Sequence, residues 1–193
     1  MLDLPQETLQ NFVPINTTTV DYELPLAQKI RKELVRALND FNMIQQNDRI
    51  MVCVSGGKDS TILALLLKEI KRRAEIEFDF ECVCLDQKQP GFDAAEFINF
   101  YKFNGIKLTI VEKDTYTIVK DKTPQGKAYC TLCSKFRRAI LYDQATLMGM
   151  NKLALGHHRD DLIETLFLNM FYVGNLSSMP PKLTSDDGQH TVI

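Results

Sequence analysis

The chain has no apolar run approaching the ~20 consecutive residues that a membrane helix needs. Its first residues, Met1-Leu2-Asp3-Leu4-Pro5, offer neither the basic nor the apolar region of a secretory leader. A cytoplasmic location without membrane contact is the expectation. An excess of charge of one sign is missing too. Lys and Arg number 23 against 25 Asp and Glu, a net charge of -2, so any nucleic-acid surface has to be a local patch. Cysteine is sparse and odd in number, at five. That is a poor disulfide framework, and cytosolic chains rarely keep disulfides. There is no internal repeat and no low-complexity tract. What is present, 45% hydrophobic and 25% charged residues in a chain of 193, suits one domain with a real core and a small appendage.

Residues 1–24 lack periodicity and read as an irregular arm. Pro25 suits a first helical turn. Ile30, Leu34, Ala37, Leu38 and Phe41 follow at helical spacing, placing an N-terminal helix within residues 25–45, with 46–193 as the main domain. Strand and helix then alternate: strand 50–54 and helix 60–73, strand 78–86 and helix 93–104, strand 106–111, a helix over about 134–149, strand 152–156 and helix 160–173. Short strands that are apolar throughout predict an α/β, Rossmann-like parallel sheet covered on both faces. Ligands of such sheets sit at the carboxyl ends of strands, near a switch in strand order. Gly174 to Gly188 reads as a loop. His190-Thr191-Val192-Ile193 reads as a strand that starts and breaks off, so the chain is expected to be a piece cut short at its C-terminus.

Ser55-Gly56-Gly57-Lys58-Asp59-Ser60 lies between the first strand and its helix. Two glycines let main-chain N–H groups close on an anion, and the helix start adds its partial positive end. Lys58 adds a full charge, and Ser55 and Ser60 add hydroxyl donors. Asp59 would repel a phosphate, which points to a Mg2+ ion arriving with a nucleotide. The spacing is not that of the Walker loop.

Gly156-His157-His158-Arg159-Asp160-Asp161 follows the strand at 152–156. Carboxylates in a first helical turn complement the helix dipole, which is a purely structural role. They can also be aimed at a nucleotide-bound Mg2+, and zinc held by His157, His158 and an acid is a further reading. Asp86, ending the second strand in Leu85-Asp86-Gln87-Lys88-Gln89-Pro90-Gly91, sits where such a sheet presents a side chain to a nucleotide. Cys53, Cys82 and Cys84 lie in apolar strands and read as small buried side chains. Cys130 and Cys133 form a Cys-x-x-Cys pair in a loop-like stretch, open to a zinc half-site, a redox pair, an iron–sulfur half-site or no role. Lys135, Arg137 and Arg138 beside them are either a solvated helix face or a phosphate-contacting patch.

With these motifs in one order, the chain resembles the PP-loop ATP pyrophosphatases, and among them the tRNA 2-thiocytidine-forming enzymes, over roughly residues 25–193. The resemblance is carried by Asp40-Phe41-Asn42-Met43-Ile44, the loop at 55–60, the segment 85–91, the Cys pair, Gly156 to Asp161, Leu166-Phe167-Leu168-Asn169-Met170-Phe171-Tyr172 and Met179-Pro180-Pro181-Lys182-Leu183. It implies ATP-dependent exchange of the C2 oxygen of an anticodon-loop cytidine for sulfur, with ATP, Mg2+ and a 4Fe-4S cluster as cofactors. It implies tRNA and a cysteine desulfurase as partners; a homodimer is a further expectation. Lys58, Asp59 and Asp161 are the implied catalytic groups. Ser55, Gly56, Gly57, Lys58, Asp59, Ser60, Asp86, Gly156 and His157 are the implied nucleotide contacts. Cys130 and Cys133 are implied cluster ligands, and Asp59, Asp160 and Asp161 Mg2+ ligands. The family's third cluster cysteine belongs to a later segment absent from this chain, which as given should hold a cluster poorly. Uridine thiolation, lysidine synthesis and a non-catalytic nucleotide- or metal-binding module stand as the alternatives.

Overall fold

The computed structural model describes residues 20–88, 92–115 and 130–193, with side chains from Cys133 onward in the last stretch. Most of the arm at 1–24, Gln89 to Gly91, the Cys130 side chain and the irregular region at 116–129 lie outside the described residues. In chain order the elements are α1 (Pro25–Asp40), β1 (Asp48–Val54), α2 (Lys58–Arg73), β2 (Phe78–Asp86), α3 (Ala94–Phe103), β3 (Leu108–Glu112), α4 (Cys130–Leu147), β4 (Lys152–Leu155), α5 (Arg159–Leu168) with a π-helical turn at Asn169–Val173, β5 (Leu183–Thr184) and β6 (Thr191–Val192).

One six-stranded sheet has the order β3-β2-β1-β4-β6-β5. Its pairs are parallel except β5 with β6. The expected parallel sheet is present, with one short antiparallel pair added at its edge. The Asp186-Asp187-Gly188 turn reverses the chain, and Ser185 N–H bonds to His190 C=O across it. The strands are apolar throughout because both faces are covered. Ile50, Val52 and Val54 of β1 point into a core with Ala64, Leu65 and Leu67 of α2 and Phe97, Phe100 and Tyr101 of α3. Met51 points the other way, packing with Val83, Leu153 and with Leu141 and Ala145 of α4. The alternate residues of a strand thus serve two cores.

Helix ends follow local chemistry. After α1, Asn42 takes a left-handed φ of 47°, and Met43 N–H closes on Leu38 C=O at 2.8 Å, a Schellman closure. This ends the helix before residue 45. α4 begins at Cys130, four residues earlier than its periodicity suggests, which places the Cys pair in a first helical turn and not in a loop. The last helix is shorter than expected, because its end relaxes into the π turn.

α1 lies at the periphery with no fully buried residue. Ile30 and Phe41 of its apolar stripe are exposed, while Leu34, Ala37 and Leu38 are half-buried. An ion pair from Arg31 to Glu69 of α2, at 3.6 Å, ties it down. Hydrogen bonds from Arg72 and Arg73 overcome burial and hold the Glu69 carboxyl near a pKa of about 2. Among the described residues, no helix is long and apolar enough to cross a membrane.

Beneath the sheet, at the end opposite the motif loops, Asp48 and Lys152 form a buried ion pair at 2.6 Å, each side chain 6% exposed. Lys152 also donates to Met43 C=O. Asp48 accepts from Asn151 Nδ2 and Gln45 N–H. Burial pushes the Asp48 carboxyl up, but these donors outweigh it and hold it below its ordinary value. Its contribution to stability is therefore complete above pH of about 4 and is lost as pH falls through the lower folded-state value. Lys152→Met leaves a buried unpaired charge, so it should cost about 3 kcal/mol at neutral pH and remove this part of the acid dependence. Denaturant titrations from neutral to acid pH test it; parallel acid limbs for the two proteins would refute the assignment.

Candidate functional site

The chain adds β2 and β3 on one side of β1, then crosses to add β4 and β6 on the other. The switch in strand order falls between β1 and β4, whose carboxyl ends carry the two motif loops. A crevice there is where doubly wound sheets bind ligands.

The loop after β1 is built to leave N–H groups open. Gly56 has φ 83°, accessible to glycine at little cost. Gly57 is the N-cap of α2, and no side chain caps the helix. The first N–H groups of α2 have no intrahelical acceptor. Ser60, buried, braces the loop from inside: its Oγ accepts from Ser55 N–H and donates to Gly57 C=O, both at 3.2 Å. Thr61 Oγ1 donates to the same carbonyl at 3.0 Å. Lys58 is exposed and pairs with Asp59 at 3.0 Å. An uncapped helix start, a glycine turn and a mobile-stemmed ammonium together form an anion receptor.

The loop after β4 presses against it. A Cβ placed on Gly156 would stand 2.7 Å from Ser60 N and 2.9 Å from Ser60 Cα. Only a residue without a side chain fits. This approach brings His158 beside the first loop: its Nε2 lies 4.0 Å from Asp59 Oδ1 and its Nδ1 3.5 Å from Asp161 Oδ2. His157 Nδ1 is also 3.5 Å from that oxygen. The N–H of His158 donates to Asp161, and this bond, with the two imidazoles, holds the Asp161 carboxyl below its ordinary value against its burial. Asp160 stands apart, 70% exposed beside Arg159. Among the described residues no three metal-ligating side chains gather at one point. Thus Ser55 to Ser60, Gly156, His157 and Asp161 converge, and Asp160 does not join them. His158, which in sequence reads only as a zinc ligand, stands between the two loops, and only the approach of Gly156 to α2 reveals this.

Asp86, at the tip of β2, spends its carboxylate on Lys88, accepting from N–H at 2.7 Å and Nζ at 2.9 Å. Lys88 reaches this position through a left-handed backbone (φ 61°) and also pairs with Glu112 at 2.8 Å. The next side chain, Gln87, is buried. Its Oε1 accepts from Arg137 Nη2 at 2.7 Å and Nε at 3.3 Å, and its Nε2 donates to buried Thr115 at 2.8 Å. Arg138, by contrast, pairs with Asp186 at 2.9 Å.

On α4, Leu141 and Ala145 face the sheet. Arg137 and then Cys133 continue that stripe at four-residue steps, beyond the carboxyl ends of the strands. Cys133 is half-buried. The other described cysteines belong to the core: burial pushes the thiols of Cys53, Cys82 and Cys84 up to about 12, with Arg137 pulling the other way at Cys53 and Cys84. These are inert packing groups.

A crevice of this form, with an open phosphate loop at a β1/β4 switch, defines a nucleotide-handling α/β protein. A PP-loop domain model matches residues 26–187, and the chain belongs to the PP-loop family. It is 58% identical over 91% of its length to the tRNA-cytidine(32) 2-sulfurtransferase of Bdellovibrio bacteriovorus, covering 68% of that protein. It is 52% identical over 92% of its length to the enzyme of that name from Erwinia tasmaniensis, covering 58%. This similarity places it on the 2-sulfurtransferase branch of the family. The chain spans a little over half to about two thirds of the length of such curated relatives. Among solved structures it resembles the U34-tRNA thiolase NcsA of Methanococcus maripaludis, determined with its 4Fe-4S cluster, at a TM-score of 0.61 and 24% identity. The match covers 75% of this chain and 50% of that one, and it bears on the fold.

Gly156→Ala should force the two loops apart and destabilise the fold by about 1–3 kcal/mol, as overpacking does. Calorimetry reads this directly, and an unmoved unfolding midpoint would mean that β4 and α2 do not press together there.

Proposed function

We propose that this chain carries the ATP-using half of a tRNA-thiolating reaction that replaces the C2 oxygen of an anticodon-loop cytidine, at position 32 by its relatives' name, with sulfur. The observation that carries the reading is the uncapped start of α2 held against Gly156 at the β1/β4 switch.

A ring carbonyl oxygen is a poor leaving group. Attack of the cytidine O2 on the α-phosphorus of ATP forms an O–P bond, breaks the bond to pyrophosphate and turns that oxygen into part of an AMP ester. The open N–H groups at Gly57 to Ser60, Lys58 and the hydroxyl of Ser55 would stabilise the charge developing on pyrophosphate. For Lys58 this means leaving Asp59 for the phosphate. A sulfur nucleophile then bonds to C2, and the C2–O bond breaks with AMP as leaving group.

The donors fit an anion. Asp59 and Asp161, both beside His158, are the pair that would hold a nucleotide-bound Mg2+ between the two loops. Asp160 is oriented to solvent and would join only by rotating inward. Gly156 and His157 would border the nucleotide, and Asp86 would act on it through the Lys88 it holds. Cys130 and Cys133, three residues apart in the first turn of α4, have spacing suited to two ligands of a 4Fe-4S cluster, and the remaining protein ligand would come from outside these two cysteines. When bound, such a cluster supplies an iron site able to carry sulfur delivered from a cysteine desulfurase. A cytoplasmic homodimer completes the reading. The exposed apolar strip of Phe167, Phe171, Tyr172 and Leu176 would support the second copy.

In the full-length protein, Lys58→Ala should slow tRNA-dependent pyrophosphate release by about 10²-fold or more while the cluster's visible absorbance persists. Cys130→Ala should abolish cluster assembly and 2-thiocytidine formation while ATP binding survives. Nucleoside mass spectrometry of tRNA from cells with and without the gene tests the whole reading. Unchanged 2-thiocytidine would overturn it, and loss of a thiouridine or of lysidine would redirect it within the family.

A further inference from the structure

The basic run after the Cys pair looks uniform in sequence, but the fold sorts it. Arg138 has a carboxylate partner, Asp186. Arg137 has none among the described residues; its acceptor is the neutral amide of Gln87. The nearest acid in sequence to that amide, Asp86, is already matched by Lys88, which Glu112 also engages. The guanidinium is therefore fixed in place by a neutral acceptor, with no carboxylate partner among the described residues.

The fixing group is costly to bury and specifically oriented. Gln87 is 5% exposed and Thr115 4% exposed. Arginine only donates, so Oε1 must face Arg137, which leaves Nε2 to donate to Thr115 Oγ1. The amide is thereby held from both ends. A neutral acceptor fixes the direction of the guanidinium without cancelling its charge, whereas a carboxylate there would cancel it. The charge stands at the carboxyl edge of β2, next to β1 and its phosphate loop. Cys133 is one helical turn away on the same stripe of α4, so the two side chains are neighbours on one helix face.

We infer that Gln87 is a positioning residue: it aims the guanidinium of Arg137 at a phosphate of the RNA strand whose base enters the crevice. The inference rests on the RNA-binding part of the proposed function. A nucleotide phosphate has the same chemistry. The RNA is favoured because Arg137 approaches from the α4 face with Cys133, while the phosphate loop leads into α2 on the opposite face.

Gln87→Glu separates position from charge. Glutamate keeps the acceptor for Arg137, and the Thr115 hydroxyl can donate to it in turn, so the guanidinium stays held while its charge is neutralised. In the full-length protein, affinity for an anticodon stem-loop RNA should fall about tenfold at low salt, and the slope of log affinity against log salt should become shallower by about one. The unfolding midpoint should be kept and ATP–Mg2+ affinity unchanged. Arg137→Gln should reproduce the loss, and it keeps the test decisive should the Glu variant fold poorly. Arg138→Ala should leave both affinities as they are. Equal RNA affinity and slope in wild type and Gln87→Glu would overturn the inference alone. Loss of ATP affinity with RNA binding intact would overturn it in favour of the nucleotide phosphate. An equal loss in Arg138→Ala would overturn it in favour of diffuse charge. Absence of any RNA binding by the wild type would instead remove the functional reading beneath it.

Discussion

The contact of Gly156 with the backbone of Ser60 is the constraint on which the site depends. β1 and β4 are neighbours in the sheet, so their following loops have to share the space above one crevice. A missing side chain at Gly156 lets the second loop come close enough for His158 to stand between Asp59 of the first loop and Asp161 of α5. A methyl group there would push against the main chain of the phosphate loop itself, not against a side chain able to rotate away. The placement of the uncapped helix start is therefore set by a packing contact between two strand ends as well as by the loop's own glycines.

The molecule handles charge differently at its two ends. At the base of the sheet Asp48 and Lys152 are buried together, and each also bonds to neighbouring polar groups, so the pair is fully matched. At the carboxyl edge the matching among the described residues is looser. Lys58 has one exposed partner that it can leave, and Arg137 has a neutral one. A matched pair holds strands and the α1–β1 link together. An unmatched or loosely matched cation keeps its attraction for an anionic ligand.

Much of this was legible in the sequence because it is local. The span of β2 over Phe78–Asp86, the helix after the phosphate loop and the alternation of strand with helix follow from apolar periodicity and from Gly–Gly between them. The boundaries that moved did so for reasons that periodicity does not register. Asn42 ended α1 by taking a left-handed turn, the Asp186–Gly188 turn reversed β5 against an otherwise parallel sheet, and α4 extended back through the Cys pair. The three strand cysteines were readable as packing groups, since an apolar strand covered on both faces buries Cys82 and Cys84 and leaves Cys53 only partly exposed.

The sequence by itself determined the identity of the phosphate loop, the presence of an α/β sheet and the separation of the three strand cysteines from the Cys-x-x-Cys pair. Each of these depends on residues within a few positions of one another. Tertiary structure alone decided which polar residues became partners. That Arg137 bonds to Gln87, fifty positions away, while Arg138 bonds to Asp186 depends on where α4 crosses the strand ends. That His158 rather than Asp160 faces Asp59 depends on how closely β4 approaches α2. Pairing between distant residues is set by the register of strands and the packing of helices on them, which no short stretch of sequence encodes.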